Sequence, residues 1–303
     1  MYRSSTDTWH TDVRPRIDAA AQQNPDGRAW LTLLAEALRE LDAPAWVAVM
    51  PQLNPERPVA APLLAGVTLA LDPNKVRRWV RGLLQQAASV MGSSTAPLAA
   101  IDTRRFDPLP LLEAAICLNQ TRLADLAKAD GADPGALGAL MQLATMPLLQ
   151  VCGRYLAQQV PVDWSYGYCP VCGAWPALAE VRGLERSHRW RCGRCGGDWG
   201  LALLRCPYCG EANHQRLGSL TAADDDATCT VDACLTCRGY VKARTVLQPT
   251  PPYAVVLEDL ATVEWDIVAL ERGYRRPTPP GYPLRVRLVK PPSRIRTFFG
   301  RRP

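Results

Sequence analysis

The sequence predicts an α+β protein in which an N-terminal all-α helical domain is followed by two tandem small β modules. Three observations carry this prediction. Apolar residues recur at helical spacing from residue 28 to about residue 160. The composition then becomes rich in Cys, Gly and Trp, with short runs of strand length. Eight cysteines in this second region form four Cys-x-x-Cys pairs between residues 169 and 237.

The helical region shows start signals as well as periodicity. Asp72 suits the N-cap of one helix and Pro73 its first position, and an apolar stripe of Val, Trp and Leu follows. Pro147 lies inside the longest apolar helix and is expected to bend it. Helices are predicted at 28–41, 72–91 and 110–130 and from Asp133 through Tyr155.

The change in composition near residue 160 and the cysteine spacing together define the domain organisation. With 303 residues, the chain is long enough for more than one domain. A helix is also expected at 258–276, before a Pro- and Arg-rich end. The predicted divisions are a polar N-terminal segment (1–27), the helical domain (28–160), a first four-cysteine ribbon (161–205), a second four-cysteine ribbon (206–250), a strand and helix that close the fold (251–276) and a basic Pro/Arg-rich tail (277–303).

The paired cysteines have the spacing of metal ligands. The first half reads C-x2-C-x19-C-x2-C and the second C-x2-C-x24-C-x2-C, which suits two tetrahedral sites of rubredoxin-like or zinc-ribbon type. Gly directly follows the second cysteine of three pairs, where a positive φ is needed, whereas Arg238 stands there in the fourth pair. The predicted ligands are Cys169, Cys172, Cys192 and Cys195 in one site and Cys206, Cys209, Cys234 and Cys237 in the other.

Other readings of the eight thiols fit less well. A thioredoxin-type redox pair would need a βαβ setting, and a disulfide frame would need an oxidising compartment. Four thiolates accept either iron or zinc, so the spacing leaves the metal open. An interleaved grouping, the first pair with the third and the second with the fourth, also stays open, although sequential grouping needs only local hairpins.

The remaining cysteines and histidines are interpreted as structural residues. Cys117 and Cys152 fall on apolar helix faces, and Cys229 lies in a strand-like run, so burial is the simplest role for all three. His188 and His214 are not needed as ligands where four sulfurs are available for each site. The acidic run at 223–227 is interpreted as a solvated hairpin turn.

No catalytic motif accompanies these sites, so the sequence predicts a protein that is not an enzyme. It lacks G-x-S-x-G, H-E-x-x-H, P-loop and G-x-G-x-x-G patterns, and a filled four-cysteine site offers no open coordination position. Two function classes remain, an assembly factor and a nucleic-acid-binding ribbon protein. The second is suggested by a basic tail and by arginines and tryptophans in the ribbons: Arg182, Arg186, Arg189, Arg191, Arg194, Trp175, Trp190 and Trp199.

Charge and hydropathy indicate where the protein works. Residues 271–303 carry a net charge of +9 and the other 270 residues sum to −3, so the body is unsuited to general nucleic-acid binding. The first 27 residues are polar, and the sequence has no run of about 18 apolar residues. We therefore expect a cytoplasmic protein with no membrane span, in a compartment that keeps thiols reduced.

The ordered motifs resemble a known family. DWSYGYCPVCGAWPALAEV, RWRCGRCGGDW, LRCPYCG, CLTCRGYVK and EDLATVEWDIVALERGYRR, read in this order, are similar to segments of the formate dehydrogenase accessory protein family, FdhE. The resemblance covers about 28–276, and the Arg-rich end differs from the family pattern. It implies a cytoplasmic, non-catalytic maturation factor that binds the catalytic subunit of a molybdenum-dependent formate dehydrogenase. It also implies two mononuclear iron sites, each with four cysteine thiolates, with zinc as the alternative.

Overall fold

The helices form the N-terminal part and a smaller C-terminal group. The computed structural model describes residues 9–91, 98, 107–200, 205–221 and 228–291. A short π-helical turn, Trp9–Val13, precedes the first helix. The α-helices are α1 (Arg14–Gln23), α2 (Arg28–Arg39), α3 (Pro44–Val47), α4 (Pro73–Met91), α5 (Pro108–Ile116), α6 (Gln120–Ala129), α7 (Pro134–Leu156), α8 (Val255–Leu260) and α9 (Val263–Glu271).

Helix α7 is the centre of the helical part. It packs against α2, α4, α5 and α6, and its side chains are buried from Leu137 to Leu156 along most of its length. It continues through Pro147 without interruption. By length and composition, the segment Pro134–Gln159 could cross a membrane, but 72% of its apolar window is buried inside the protein. Helix α7 is therefore the core helix of the helical domain. It is apolar because neighbouring helices cover it.

The predicted helix at 110–130 is wrong, because the chain forms α5 and α6 with a break between them. Leu118 has a positive φ of 53°, which ends α5. The side chain of Asn119 then accepts a hydrogen bond from the backbone N–H of Arg122, at 3.0 Å, and caps α6. The apolar periodicity runs across this turn, so the pattern concealed the break.

Both ribbons contribute to one six-stranded sheet. Its strands are β2 (Leu178–Arg182), β3 (Ser187–Arg191), β4 (Asp198–Gly200), β5 (Leu217–Leu220), β6 (Cys229–Cys234) and β7 (Tyr240–Val246). The strand order is β4-β3-β2-β7-β6-β5, and within this sheet only the central β2–β7 pair is parallel. The sequence predicted strand-sized runs for the others but missed β7, which joins the two ribbons.

The C-terminal part closes the fold against both regions. The expected helix at 258–276 is instead α8 and α9, separated at Ala261 and Thr262. Residues beyond 276 are also packed, since Leu284 and Val286 are buried in the main core. A strand that follows them, β8 (Arg287–Val289), pairs in parallel with β1 (Thr68–Ala70) from the helical part.

Candidate metal centres

The structure brings Cys169, Cys172, Cys192 and Cys195 together as one group, called the first centre. Its sulfurs lie within 4.8 Å of one another, with 3.5 Å both between Cys169 and Cys195 and between Cys172 and Cys192. Four thiolates at about 2.3 Å from a tetrahedral ion would have sulfurs about 3.8 Å apart. The spacing fits such an ion, and it is far longer than the S–S bond of a disulfide, about 2.05 Å.

The other four ligand candidates form the second centre: Cys206, Cys209, Cys234 and Cys237. Here the sulfurs of Cys206 and Cys237 are 3.6 Å apart and those of Cys209 and Cys234 are 3.7 Å apart. The donor set and the spacing again suit one tetrahedral ion. The grouping is sequential, so the interleaved alternative does not describe this chain. Among the described residues these are the two sets of three or more possible ligands close enough to share an ion.

Each pair of cysteines lies on a tight turn whose backbone requires a positive φ after the second cysteine. Gly173, Gly196 and Gly210 have φ values of 73°, 71° and 77°, and each donates its N–H to the carbonyl oxygen of the first cysteine of its pair, at 2.9–3.0 Å. The expectation for these glycines is confirmed. Arg238 takes the same position in the fourth turn with φ of 59°, which costs a non-glycine residue about 1 kcal/mol.

Arg238 is held in this conformation by the end of α9. Its guanidinium donates to the carbonyl oxygen of Arg272 at 2.7 Å and lies 4.2 Å from the ring centroid of Tyr274. The N–H of Arg275 in turn donates to the carbonyl of Arg238 at 2.9 Å. Arg238, which stands where the other three turns have glycine, therefore attaches the fourth turn to the end of the C-terminal helices. The sequence spacing does not reveal this role.

The first centre lies where its ribbon packs against the helical domain. Backbone N–H groups of Leu63 and Leu64 donate to the carbonyls of Pro170 and Val171, at 2.7 and 3.0 Å. On another side, α7 approaches so closely that a Cβ atom on Gly153 would lie 2.0 Å from the carbonyl oxygen of Cys195. The turns of the first centre therefore form part of the contact between the two domains.

Most of the ribbon arginines are engaged inside the protein. Arg191 is buried and donates to Glu180 at 2.7 Å, and Arg182 donates to Glu180 at 2.7 Å and to Asp198 at 2.5 Å. Burial favours a raised pKa for Asp198, but hydrogen bonds from Arg182 and Arg189 hold that pKa below its ordinary value. These charges therefore satisfy one another across β2, β3 and β4, and loss of one partner would leave a buried charge uncompensated.

A second ionic cluster links the sheet to α8 and α9. The fully buried Lys242 lies 2.6 Å from Asp266 and 2.9 Å from Asp259, and Arg276 donates to Asp259 at 2.7 Å. Burial favours a raised pKa for Asp259, but the charges of Arg276 and Lys242 hold it below the ordinary value. No pattern in the sequence indicated that this lysine, in the unpredicted strand β7, would be buried.

The remaining cysteines and histidines lie outside both centres. Cys152 and Cys229 are buried, and burial raises the pKa of the Cys152 thiol to about 12, so it stays protonated. Cys117 is half-buried at the end of α5. His188 and His214 join neither ligand group. The acidic run at 223–227 lies outside the described residues.

Comparison with known proteins gave several partial matches. No family model matches the chain. A "Protein FdhE homolog" from Stutzerimonas stutzeri is 30% identical over 147 residues, 47% of this chain and 46% of that protein. Another, from Aquifex aeolicus, is 29% identical over 114 residues, 37% of this chain and 40% of that protein. The matched segments thus span less than half the length of the curated relatives.

A solved structure extends the similarity to the whole fold. The crystal structure of the FdhE protein from Pseudomonas aeruginosa superposes with a TM-score of 0.56 at 22% identity, covering 92% of this chain and 96% of that chain. The fold and the centres define a class of protein, an α-helical domain joined to two four-cysteine ribbons that share one sheet. Four curated FdhE homologues are similar to parts of this chain at 26–30% identity, and the solved FdhE structure shares its fold, in agreement with the resemblance noted in the sequence.

Proposed function

We propose that the chain is a cytoplasmic, non-catalytic accessory protein that binds the catalytic subunit of a molybdenum-dependent formate dehydrogenase during its maturation. The observation that carries this proposal is the pair of four-sulfur centres in a fold shared with an FdhE protein. A four-cysteine site has no open position at which a substrate could bind a metal, which favours a recognition or assembly role over catalysis.

The two centres are proposed to hold one iron ion each. The eight ligands would be Cys169, Cys172, Cys192 and Cys195, and Cys206, Cys209, Cys234 and Cys237. Iron in four thiolates would supply one-electron chemistry of the rubredoxin type, whereas zinc in the same sites would be structural. Metal analysis and an absorption spectrum of protein purified without oxygen would decide. About two irons per chain and a reducible thiolate-to-iron band support the iron proposal; about two zincs and no visible band refute it.

Client binding can be tested by capture. The tagged chain should retain a formate dehydrogenase catalytic subunit, and Cys209→Ser with Cys237→Ser should reduce this retention. Because both residues are exposed, the fold should survive their replacement. Cys117→Ser, which removes a thiol outside both centres, is the matched control. Failure of the folded, metal-loaded wild-type chain to retain the subunit would refute the proposed partner.

Removal of the first centre tests a stronger dependence. Cys169→Ser with Cys172→Ser should abolish both client binding and maturation, since the buried first centre is part of the domain interface. A variant that has lost its metal yet still binds and matures the client would contradict the proposal. Circular dichroism of the variant distinguishes a loss of folding from a loss of recognition.

The nucleic-acid alternative has lost its main support. Trp190 and Trp199 are buried, and Arg182, Arg189 and Arg191 pair with Glu180 or Asp198 inside the molecule. Arg194 is also engaged, donating to the backbone carbonyl of Ala115 at 2.7 Å. Base stacking and phosphate contact need accessible aromatic and cationic groups. Purified protein should therefore carry no nucleic acid at moderate salt, and retention of nucleic acid that salt releases would revive this alternative.

A further inference from the structure

The two centres differ in their exposure to solvent. In the first centre, all four cysteines are buried, with exposed fractions of 0% or 1%. In the second, Cys206 and Cys234 are buried, whereas Cys209 and Cys237 are exposed. The ligand types and the spacing are the same, so the difference comes from what covers each centre.

The cover of the first centre is made from distant parts of the chain. Leu63 and Leu64 bond the turn at Pro170, and Tyr282 donates its N–H to the carbonyl of Gly173 at 3.0 Å. On the other side, Gly153 of α7 contacts the turn that ends at Cys195. Exposing these sulfurs requires the helical domain and the ribbon to separate, an opening that approaches global unfolding in free energy.

The cover of the second centre is local and incomplete. The backbone N–H of Gly239 lies 3.4 Å from the sulfur of Cys237. Both Cys237 and Cys209 are nevertheless exposed to solvent. Cys206 and Cys234 line an adjoining cavity of about 280 Å³. Trp190, whose buried indole N–H finds no hydrogen-bond partner among the described residues, also lines this cavity. A small molecule can thus approach the second centre from two sides without any separation of domains.

We propose that the second centre is a metal-exchange site that releases and takes up its ion in the folded protein, while the first centre keeps its ion until the protein unfolds. The replaceable ligands are Cys209 and Cys237, and the partner chemistry is a soft donor such as a thiol or a chelator. As the ion leaves, the cysteines take up protons from solvent, so the exchange needs neither an oxidant nor a reductant. The inference rests on the proposed metal binding and not on the identity of the client.

The test is the rate at which the wild-type protein, loaded with two zinc ions, transfers zinc to the chromogenic chelator 4-(2-pyridylazo)resorcinol. We expect one equivalent to be released rapidly with an unchanged circular dichroism spectrum and the second only as the protein unfolds. The separation should be roughly a hundredfold or more in rate, because local opening is far less costly than global unfolding. N-ethylmaleimide added during the rapid phase should modify Cys209 and Cys237 before any cysteine of the first centre.

Two double-cysteine variants show which centre gives the rapid and which the slow phase of zinc release. Cys209→Ser with Cys237→Ser should remove the rapid equivalent and leave the slow one and the melting temperature nearly unchanged. Cys172→Ser with Cys192→Ser should remove the slow equivalent or prevent folding. Release of both zinc ions in a single phase, or equally fast alkylation at the first centre, would overturn the inference. Failure of the wild-type chain to bind two ions would instead refute the proposed metal binding.

Discussion

Replacement of Gly153 by Ala tests how tightly the helical domain is attached to the first centre. Gly153 lies in α7 next to the turn that carries Cys195. An added Cβ would lie 2.0 Å from the carbonyl oxygen of Cys195, whereas real Cβ atoms essentially never come within 3.0 Å of a heavy atom outside their own and the adjoining residues. The neighbour is backbone rather than a flexible side chain, so α7 and the ribbon must move apart by about 1 Å.

The magnitude follows from two opposing effects. Overpacking of this kind costs about 1–3 kcal/mol. Alanine inside a helix is favoured over glycine by about 0.5–1 kcal/mol, which offsets part of the loss. The variant should therefore be less stable than the wild type by up to about 2.5 kcal/mol. Gly138 is the matched control, because it lies in the same helix and a Cβ there would meet nothing within 4 Å. Gly138→Ala should stabilise by about 0.5–1 kcal/mol.

The assay is urea unfolding of both metal-loaded variants, followed by helical circular dichroism and by metal release. Gly153→Ala should lower the midpoint and should bring release from the first centre to a lower urea concentration. Gly138→Ala should raise or preserve both midpoints. Equal stability of the two variants would show that α7 does not contact the first centre as closely as the structure has it, and the inferred coupling of domain packing to metal retention would fail.

Two further predictions concern the buried charges. Lys242→Met should destabilise the protein by about 1–3 kcal/mol in urea unfolding, because Asp259 and Asp266 lose one of their two cationic partners and keep only Arg276. Lys290→Met, at an exposed position, should change stability by less than about 0.5 kcal/mol. Similar losses for both would contradict the assigned role of Lys242. Stability should also fall below about pH 4, since Asp198 and Asp259 have lowered pKa values and the unfolded chain binds more protons than the folded one there. Unfolding free energies measured between neutral and acidic pH check this, and a flat profile would show that the two aspartates do not stabilise the fold.

Parts of the fold followed directly from local patterns. Asp72 accepts a hydrogen bond from the backbone N–H of Asn74 at 2.9 Å and α4 begins at Pro73, as the N-terminal signals predicted. The breaks at Leu118 and Thr262 were missed because the apolar period continues across them. Strand β7 was missed because Lys242 and Arg244 resemble the charged residues of a solvated segment, although Lys242 is fully buried and forms ion pairs there.

The sequence by itself determined that the eight cysteines form four pairs and that each pair lies on a tight turn. A pair of sulfurs two residues apart and a residue able to adopt positive φ are local features, so spacing suffices to recognise them. Only the tertiary structure decided that the ribbons share one sheet, that the first centre is enclosed by Leu63, Leu64 and Gly153, and that the second stays open to solvent. Enclosure depends on residues up to about a hundred positions away in the chain, and no local pattern records which of them will meet.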